Sequence, residues 1–512
     1  MNDALTKRLQ VPLNRVEGDL EIQVDLQEDT ITQAWSKGVM YRGFENLLKG
    51  RSPLDALVIA PRICGICSTG QLAAAASALD NLCAAEIPPN ATKLRNIAQM
   101  AEHIQSDLRQ SFLMFAADFA SSTFADRSWF DEAVSRYEPF KGQTVIETVR
   151  CSKEILEIIA IVGGQWPHSA YMVPGGIASS PTRSDIQQCR FILDKCQSWY
   201  ERQVLGCSLS RWQAIGSLAD LQAWLEESPA HAEGELGFFL RLCRETQLDS
   251  LGRSPGNFIA FGQLPLPEGS CVQSRSGGSS LIPAGFAEGI NLEPFDHSAV
   301  TETAAAAWYA DADGPQHPWE AETVPYASGR EGSKYSWIKA PRYRGRPAET
   351  GPLAEMVVSG HPLFTDLVQK LGSNVFTRQL ARLVRPAELF PAMRTWLDEI
   401  NVRDRFYIPV QSIPDGQACG LTHASRGALG HWLEVRDGRI GSYQVITPTT
   451  WNGSPRDEHG AAGPWEEALQ GTVLNNTEDP VELGQIVRSF DPCLVCSVHA
   501  LTPKGRRCWC LG

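Results

Sequence analysis

The chain contains no uninterrupted apolar run approaching the ~20 residues that a membrane-spanning helix needs, which sets aside a direct membrane span. Its first residues, MNDALTKRLQVPLNRVEG, lack the apolar stretch and small-residue cleavage site of a signal peptide. A cytoplasmic location is therefore expected, with membrane association only through partners. Clustered basic residues are also missing, apart from the last few positions. With 46 Lys and Arg against 59 Asp and Glu the net charge is −13. Nucleic acid is set aside as a partner, because phosphate binding leans on concentrated positive charge. There is no internal repeat, and no low-complexity segment beyond alanine-rich helix.

What is present is enough to bury a large core: 512 residues, 43% of them hydrophobic and only 21% charged. Residues 10–60 read as short strands and turns, since VPLNRVEGDLEIQVDL alternates apolar and polar before turning at Glu28–Asp29. Helical patterning follows. Gln71–Cys83 is alanine-rich, and Asn90–Phe119 carries Leu94, Ile97, Met100, Ile104, Leu108 and Phe112 at helical spacing after a Pro-Pro stop. Further long helices are expected over about 144–162, 183–204 and 375–400. Pro255–Gly351 is rich in Gly, Pro and Ser with little period, which reads as a covering layer. The last hundred residues mix short strands and turns. The expectation is a mainly α fold with peripheral β structure (α+β), a single domain rather than several.

Fourteen cysteines in such a chain are read as thiols or metal ligands before disulfides. Ten are small buried hydrophobes in the simplest reading. The other four form two C-x-x-C pairs, Cys64/Cys67 in Arg62-Ile63-Cys64-Gly65-Ile66-Cys67 and Cys493/Cys496 in Asp491-Pro492-Cys493-Leu494-Val495-Cys496. This spacing lets two thiolates reach one ion across a tight turn, which Gly65 eases in the first pair. Spacing alone serves zinc and an iron–sulfur cluster equally. Two features point away from zinc: the pairs lie at opposite ends of the chain, and both sit in apolar sequence beside helices instead of polar knuckles. A shared site would force the ends to meet in the interior.

The residues around the pairs carry a family resemblance. R-I-C-G-I-C and D-P-C-x-x-C-x-x-H, the latter ending at His499, are similar to the two signature motifs of nickel–iron hydrogenase large subunits. Arg15-Val16-Glu17-Gly18, Arg42-Gly43-Phe44-Glu45, Tyr335 to Arg342, Arg426 to Leu429, and Pro448 to Asn452 match in the same order. The resemblance implies that family's fold around a central bundle of long helices. It also implies nickel bound by all four cysteines, with Cys67 and Cys496 bridging to an iron that carries carbon monoxide and two cyanides. Arg426, Ser425 and Thr449 then contact the iron's ligands, and Glu17 passes protons. Glu45, the Val445 carbonyl and His499 would hold a magnesium-type ion. Without the resemblance Arg426 reads as an arginine before a Gly turn and Glu17 as a strand-end carboxylate. The chemistry is coherent, because a soft thiolate-bound metal takes a hydride from dihydrogen while a nearby base takes the proton.

The chain departs from the common family pattern at Asp19 and Gln71, each a frequent histidine, at Ser106, a frequent aspartate with Asp107 beside it, and at Ser425, a frequent proline. Ile66 replaces a common valine. With Asp19 and Gln71 it resembles the hydrogen-sensing branch and its uptake relatives. The thirteen residues Ala500–Gly512 instead resemble the extension that catalytic members lose to a maturation protease after nickel-insertion proteins have acted. No further iron–sulfur motif is present, so an iron–sulfur small subunit is implied. Two main readings follow: an uptake-type enzyme that splits H2 into protons and electrons, and a low-turnover hydrogen sensor signalling to a kinase. A zinc-binding subunit resembling the related protein of respiratory complex I is a third, and it lacks the complete cysteine set.

Overall fold

The computed structural model describes residues 7–312, 314–327 and 332–497, with Cys496 and Ser497 described by their backbone alone. The first layer is an antiparallel meander of β1 (Lys7–Leu13), β2 (Leu20–Gln27) and β3 (Thr30–Gly38). Alternation fixes its face: Leu20, Ile22, Val24 and Leu26 point inward while their neighbours face outward. The short helix α1 (Phe44–Leu48) follows, and then the first cysteine turn leads into α2 (Ser68–Leu82) and α3 (Pro89–Arg109).

The long helices fall close to their expected ranges, α4 at Gln143–Gly163 and α5 at Arg183–Trp199. Two of them end earlier than the apolar spacing implies. Regular α-helix stops at Arg109 and Trp199, and each continues into a widened π-helical turn, Gln110–Phe115 and Tyr200–Leu205. The helix α3 packs on α4 and on a later helix, so it runs through the middle of the molecule. It has no polar outer face. Glu102, His103, Gln105, Ser106 and Asp107 are all buried along with its apolar residues.

The Gly/Pro-rich middle carries a three-stranded sheet of β4 (Asn257–Pro265), β5 (Ser280–Glu288) and β6 (Asn291–Glu293), and β4 is buried in the core through Phe258–Phe261. After α6 (Pro352–Val358) comes α7 (Val375–Glu399), opened by an Asn374/Thr377 capping box. Pro391 inside α7 has no N–H for the Ala387 carbonyl, and the Gln213 side-chain amide donates to that carbonyl instead, at 3.2 Å.

The last hundred residues divide differently from the expected strand-and-turn mixture. The strands β7 (Gly416–Ala424), β8 (Gly427–Arg436) and β9 (Arg439–Ile446) form a meander. Beyond it the chain is helical, with α8 (Pro448–Asn452), α9 (Val481–Ser489) and α10 (Leu494–Ser497). Helix α2 lies directly on β7. Their approach is so close that a Cβ on Gly420 would stand 1.9 Å from the Ala74 carbonyl oxygen, so only glycine fits there. One continuous apolar core extends from Leu13 to Leu494 and contains Cys64, Cys67 and Cys493. No described helix is long and apolar enough to cross a membrane.

Candidate metal centre

The two cysteine motifs meet inside the core, as their separation in sequence required. Cys64 and Cys493 are buried, and their Sγ atoms stand 3.5 Å apart, although 429 positions separate them. Cys67 is equally buried and forms the N-cap of α2. The second motif is held in place by backbone contacts. Glu17 pairs with Cys493 in a short parallel bridge, with Glu17 N–H donating to the Pro492 carbonyl (3.3 Å) and Leu494 N–H donating to the Glu17 carbonyl (2.7 Å). Gly18 follows at φ 82°, and Val495 packs where its Cβ would stand. Cys493 N–H donates to Thr449 Oγ1 at 3.0 Å. From the other side, Arg42 donates to the Ile63 carbonyl (2.6 Å) and the Val495 carbonyl (3.1 Å), so one guanidinium ties both motifs.

Arg426 lies 5% exposed beside the thiols. Its Nε donates to the Asp491 carbonyl, and the Asp491 carboxylate is 3.1 Å away. Burial works against its charge, but Asp491 and then Cys493, Cys64 and Cys67 hold it protonated. Its Nη1 is buried with no hydrogen-bond partner among the described residues. A charged donor enclosed in this way is costly unless an acceptor completes it. The half-buried Glu17 carboxyl is raised above the usual carboxylate range, chiefly by burial; Arg426 opposes the rise and Cys64 adds to it. It is thereby suited to hold and release a proton.

Ser425 is buried behind Arg426, with its hydroxyl donating to the Glu102 carbonyl (3.3 Å) and lying 3.2 Å from His103 Nδ1. Glu45 is also buried, and it receives the Val445 N–H (3.0 Å), the Thr323 hydroxyl and the Lys339 ammonium (3.4 Å). Glu45 and Val445 are therefore neighbours through the Val445 N–H, and Lys339 supplies positive charge beside the carboxylate. No three His, Cys, Asp or Glu side chains among the described residues form a metal-type cluster. The Cys496 side chain and His499, both expected ligands, and the 500–512 extension lie outside the described residues.

A family model described as nickel-dependent hydrogenase matches residues 42–133 and 241–499, well over half of the chain. The chain belongs to the nickel-dependent hydrogenase family. The hydrogenase is 27% identical to the hydrogenase-2 large chain of Escherichia coli K12, covering 96% of this chain and 97% of that one. It is 29% identical to the uptake hydrogenase large subunit of Bradyrhizobium diazoefficiens, over 98% and 96% of the two chains. Among solved structures, the Ni-Fe-Se hydrogenase of D. vulgaris Hildenborough matches with TM-score 0.81 and 26% identity, over 97% of this chain and all of that one. These relatives establish the mainly helical large-subunit fold and an oxidoreductase acting on hydrogen. The sensor reading is not favoured beside them.

The residues present fit a thiolate-held nickel–iron group. The Cys64 and Cys493 thiols meet in the core and Cys67 is buried within reach of the same arginine, which suits a soft metal, and the unpartnered Nη1 of Arg426 offers a donor to acceptor ligands on it. Three features of this hydrogenase escaped the sequence. Gln71, at the frequent histidine position, accepts from His431 Nε2 (2.8 Å), whose Nδ1 is 2.7 Å from the Tyr443 hydroxyl. Asp107 and Glu355 converge on Arg385, which also donates to the Ser425 carbonyl at 2.6 Å. Glu102 reaches across to the helix that Cys67 caps. The one available signal was the run of polar residues in α3, whose positions leave no face free for solvent.

Proposed function

We propose that the chain is the catalytic large subunit of an uptake-type hydrogenase, oxidising H2 to two protons and two electrons that leave through an iron–sulfur small subunit. The observation that carries this is the meeting of Cys64 and Cys493 beside the buried, unpartnered donor of Arg426. Cys64, Cys67, Cys493 and Cys496 would hold the nickel–iron centre, with Cys67 and Cys496 the ones expected to be shared with an iron that would carry carbon monoxide and two cyanides. Bound there, the centre supplies a Lewis-acidic pair that polarises dihydrogen.

The chain's own residues do the rest. The apolar core excludes water from the thiols. Arg426 would offer Nη1 to the iron's ligands, Thr449 steadies the Cys493 backbone, and Ser425, one position before Arg426, is held at its carbonyl by Arg385. Glu17, carried on the backbone bridge to Cys493, receives the proton at its carboxylate and passes it outward. Glu45, the Val445 carbonyl and His499 are proposed to hold a magnesium-type ion, which would compete with Lys339 for Glu45. Residues 1–499 are taken as one domain, with 500–512 removed by a maturation protease after nickel insertion.

The uptake relatives support catalysis over sensing. The Desulfomicrobium baculatum relative is periplasmic by name, so cell fractionation, rather than the amino terminus, assigns the compartment. The deciding experiment is hydrogen-dependent dye reduction by the purified two-subunit complex, with mass spectrometry of the carboxyl terminus. High turnover with a chain ending at His499 supports the enzyme. Negligible turnover with residues 500–512 retained points to the sensor.

A further inference from the structure

Glu102 is fully buried on α3, and its carboxyl spans the first turn of the helix that Cys67 caps. Oε2 accepts from Thr69 N–H at 2.8 Å, and Oε1 accepts from Gly70 N–H at 3.0 Å. The Trp166 indole N–H donates to Oε2 at 3.3 Å. All three contacts are donors, so the arrangement suits a carboxylate rather than a carboxylic acid. The same residue faces the other half of the centre, because its backbone carbonyl accepts from the Ser425 hydroxyl, one position before Arg426. His103, the next residue along α3, stands 3.2 Å from that hydroxyl through Nδ1, and burial lowers its pKa to about 3, so it is neutral there. One short stretch of α3 therefore joins the first cysteine turn to the arginine turn.

We propose that Glu102 is a positioning residue of the centre, fixing Cys67 against Arg426 and placing a negative charge behind the thiolates that tunes the electron density of the metals. This rests on the reading of the cysteines as the nickel–iron site. Burial and hydrogen bonding act in opposite directions on this carboxyl. Burial outweighs the Thr69 and Gly70 N–H groups and Trp166, so the carboxyl stands raised to about 7 and carries its full negative charge above that pH. A charge held so by the fold cannot relax away by moving into solvent, and in the low-dielectric interior it is felt over several ångströms.

The test is Glu102→Gln in the purified two-subunit complex, with Glu466→Gln as control. Glu466 is also fully buried, but it accepts from Ser36 N–H and the Tyr335 hydroxyl, away from both cysteine motifs. Nickel and iron per chain are measured, with the infrared stretching bands of the iron's diatomic ligands and the midpoint potential of the centre. Glu102→Gln should retain nickel, move the bands to higher wavenumber and shift the potential positive, because a negative charge has gone. Glu466→Gln should move neither. Trp166→Phe, which strips one donor from the carboxylate without touching α2 and so favours the uncharged acid, should shift the bands the same way at pH 7 and keeps the test open if Glu102→Gln fails to load metal. Unmoved bands in a nickel-loaded Glu102→Gln or Trp166→Phe complex, or an equal shift from Glu466→Gln, would overturn the inference. Absence of nickel from the wild-type complex would instead refute the reading of the cysteines.

Discussion

Replacing Arg426 by lysine separates what its charge does from what its geometry does. The guanidinium faces the Asp491 carboxylate at 3.1 Å. At an effective dielectric of about 20 that contact is worth roughly 5 kcal/mol before desolvation is counted. Lysine keeps the charge, so Asp491 and the thiols stay compensated, and the fold and nickel content should survive. What lysine lacks is the planar fork that directs Nη1 while Nε holds Asp491. Losing one preorganised donor typically costs ~10²–10³ in kcat, or about 3–4 kcal/mol. Hydrogen-dependent dye reduction, expressed per nickel atom, should fall by about that factor. Arg426→Met should behave differently, because it takes from buried Asp491 its nearest cation and leaves only Arg382 nearby, at a cost of up to about 3–5 kcal/mol in stability, and nickel content should fall with it. Wild-type turnover per nickel in a loaded Arg426→Lys complex would refute the role given to Nη1.

Glu17→Gln keeps the backbone bridge to Cys493 but cannot carry a proton, so exchange of H2 with solvent deuterons should be lost with metal content unchanged; retained exchange would remove Glu17 from the proton route. Glu466 titrates at about 7 in the folded protein because burial raises it from 4.5. A raised carboxyl contributes stability that is full below pH 4.5 and lost as pH rises through 7, by about 3 kcal/mol across that window. Glu466→Gln should flatten the pH dependence of unfolding free energy there by that amount, and an unchanged slope would contradict the assignment. Gly420→Ala places a methyl group against the Ala74 carbonyl and should destabilise by about 1–3 kcal/mol, read as a lower Tm; an unchanged Tm would show that α2 and β7 separate freely.

The parts of the molecule governed by local rules were legible in the sequence. Alternation in LEIQVDLQ defined β2, and the apolar spacing from Leu94 to Leu108 defined α3. The distant cysteine pairs required the chain ends to meet, and Cys64 and Cys493 do so. The pairings that depend on three-dimensional neighbours were not legible. Nothing local to Glu102 announces Thr69 and Gly70 as its partners, and nothing near Asp107 announces Arg385, 278 positions away. The early end of regular helix at Arg109 escaped for a related reason, since the apolar period continues through Phe112 while the backbone widens. At Glu45 the resemblance supplied a role, but Lys339 and Thr323 come from a stretch with no period to read.

The most direct measurement is metal content in the mature two-subunit complex, compared between the wild type and Cys64→Ser. Nickel and iron at about one atom each per large subunit, beyond the iron of the small subunit's clusters, are predicted in the wild type, with nickel lost from Cys64→Ser while the two subunits stay associated. Zinc without nickel in the wild type, or full nickel in Cys64→Ser, would contradict a nickel site built on the meeting of the two cysteine pairs.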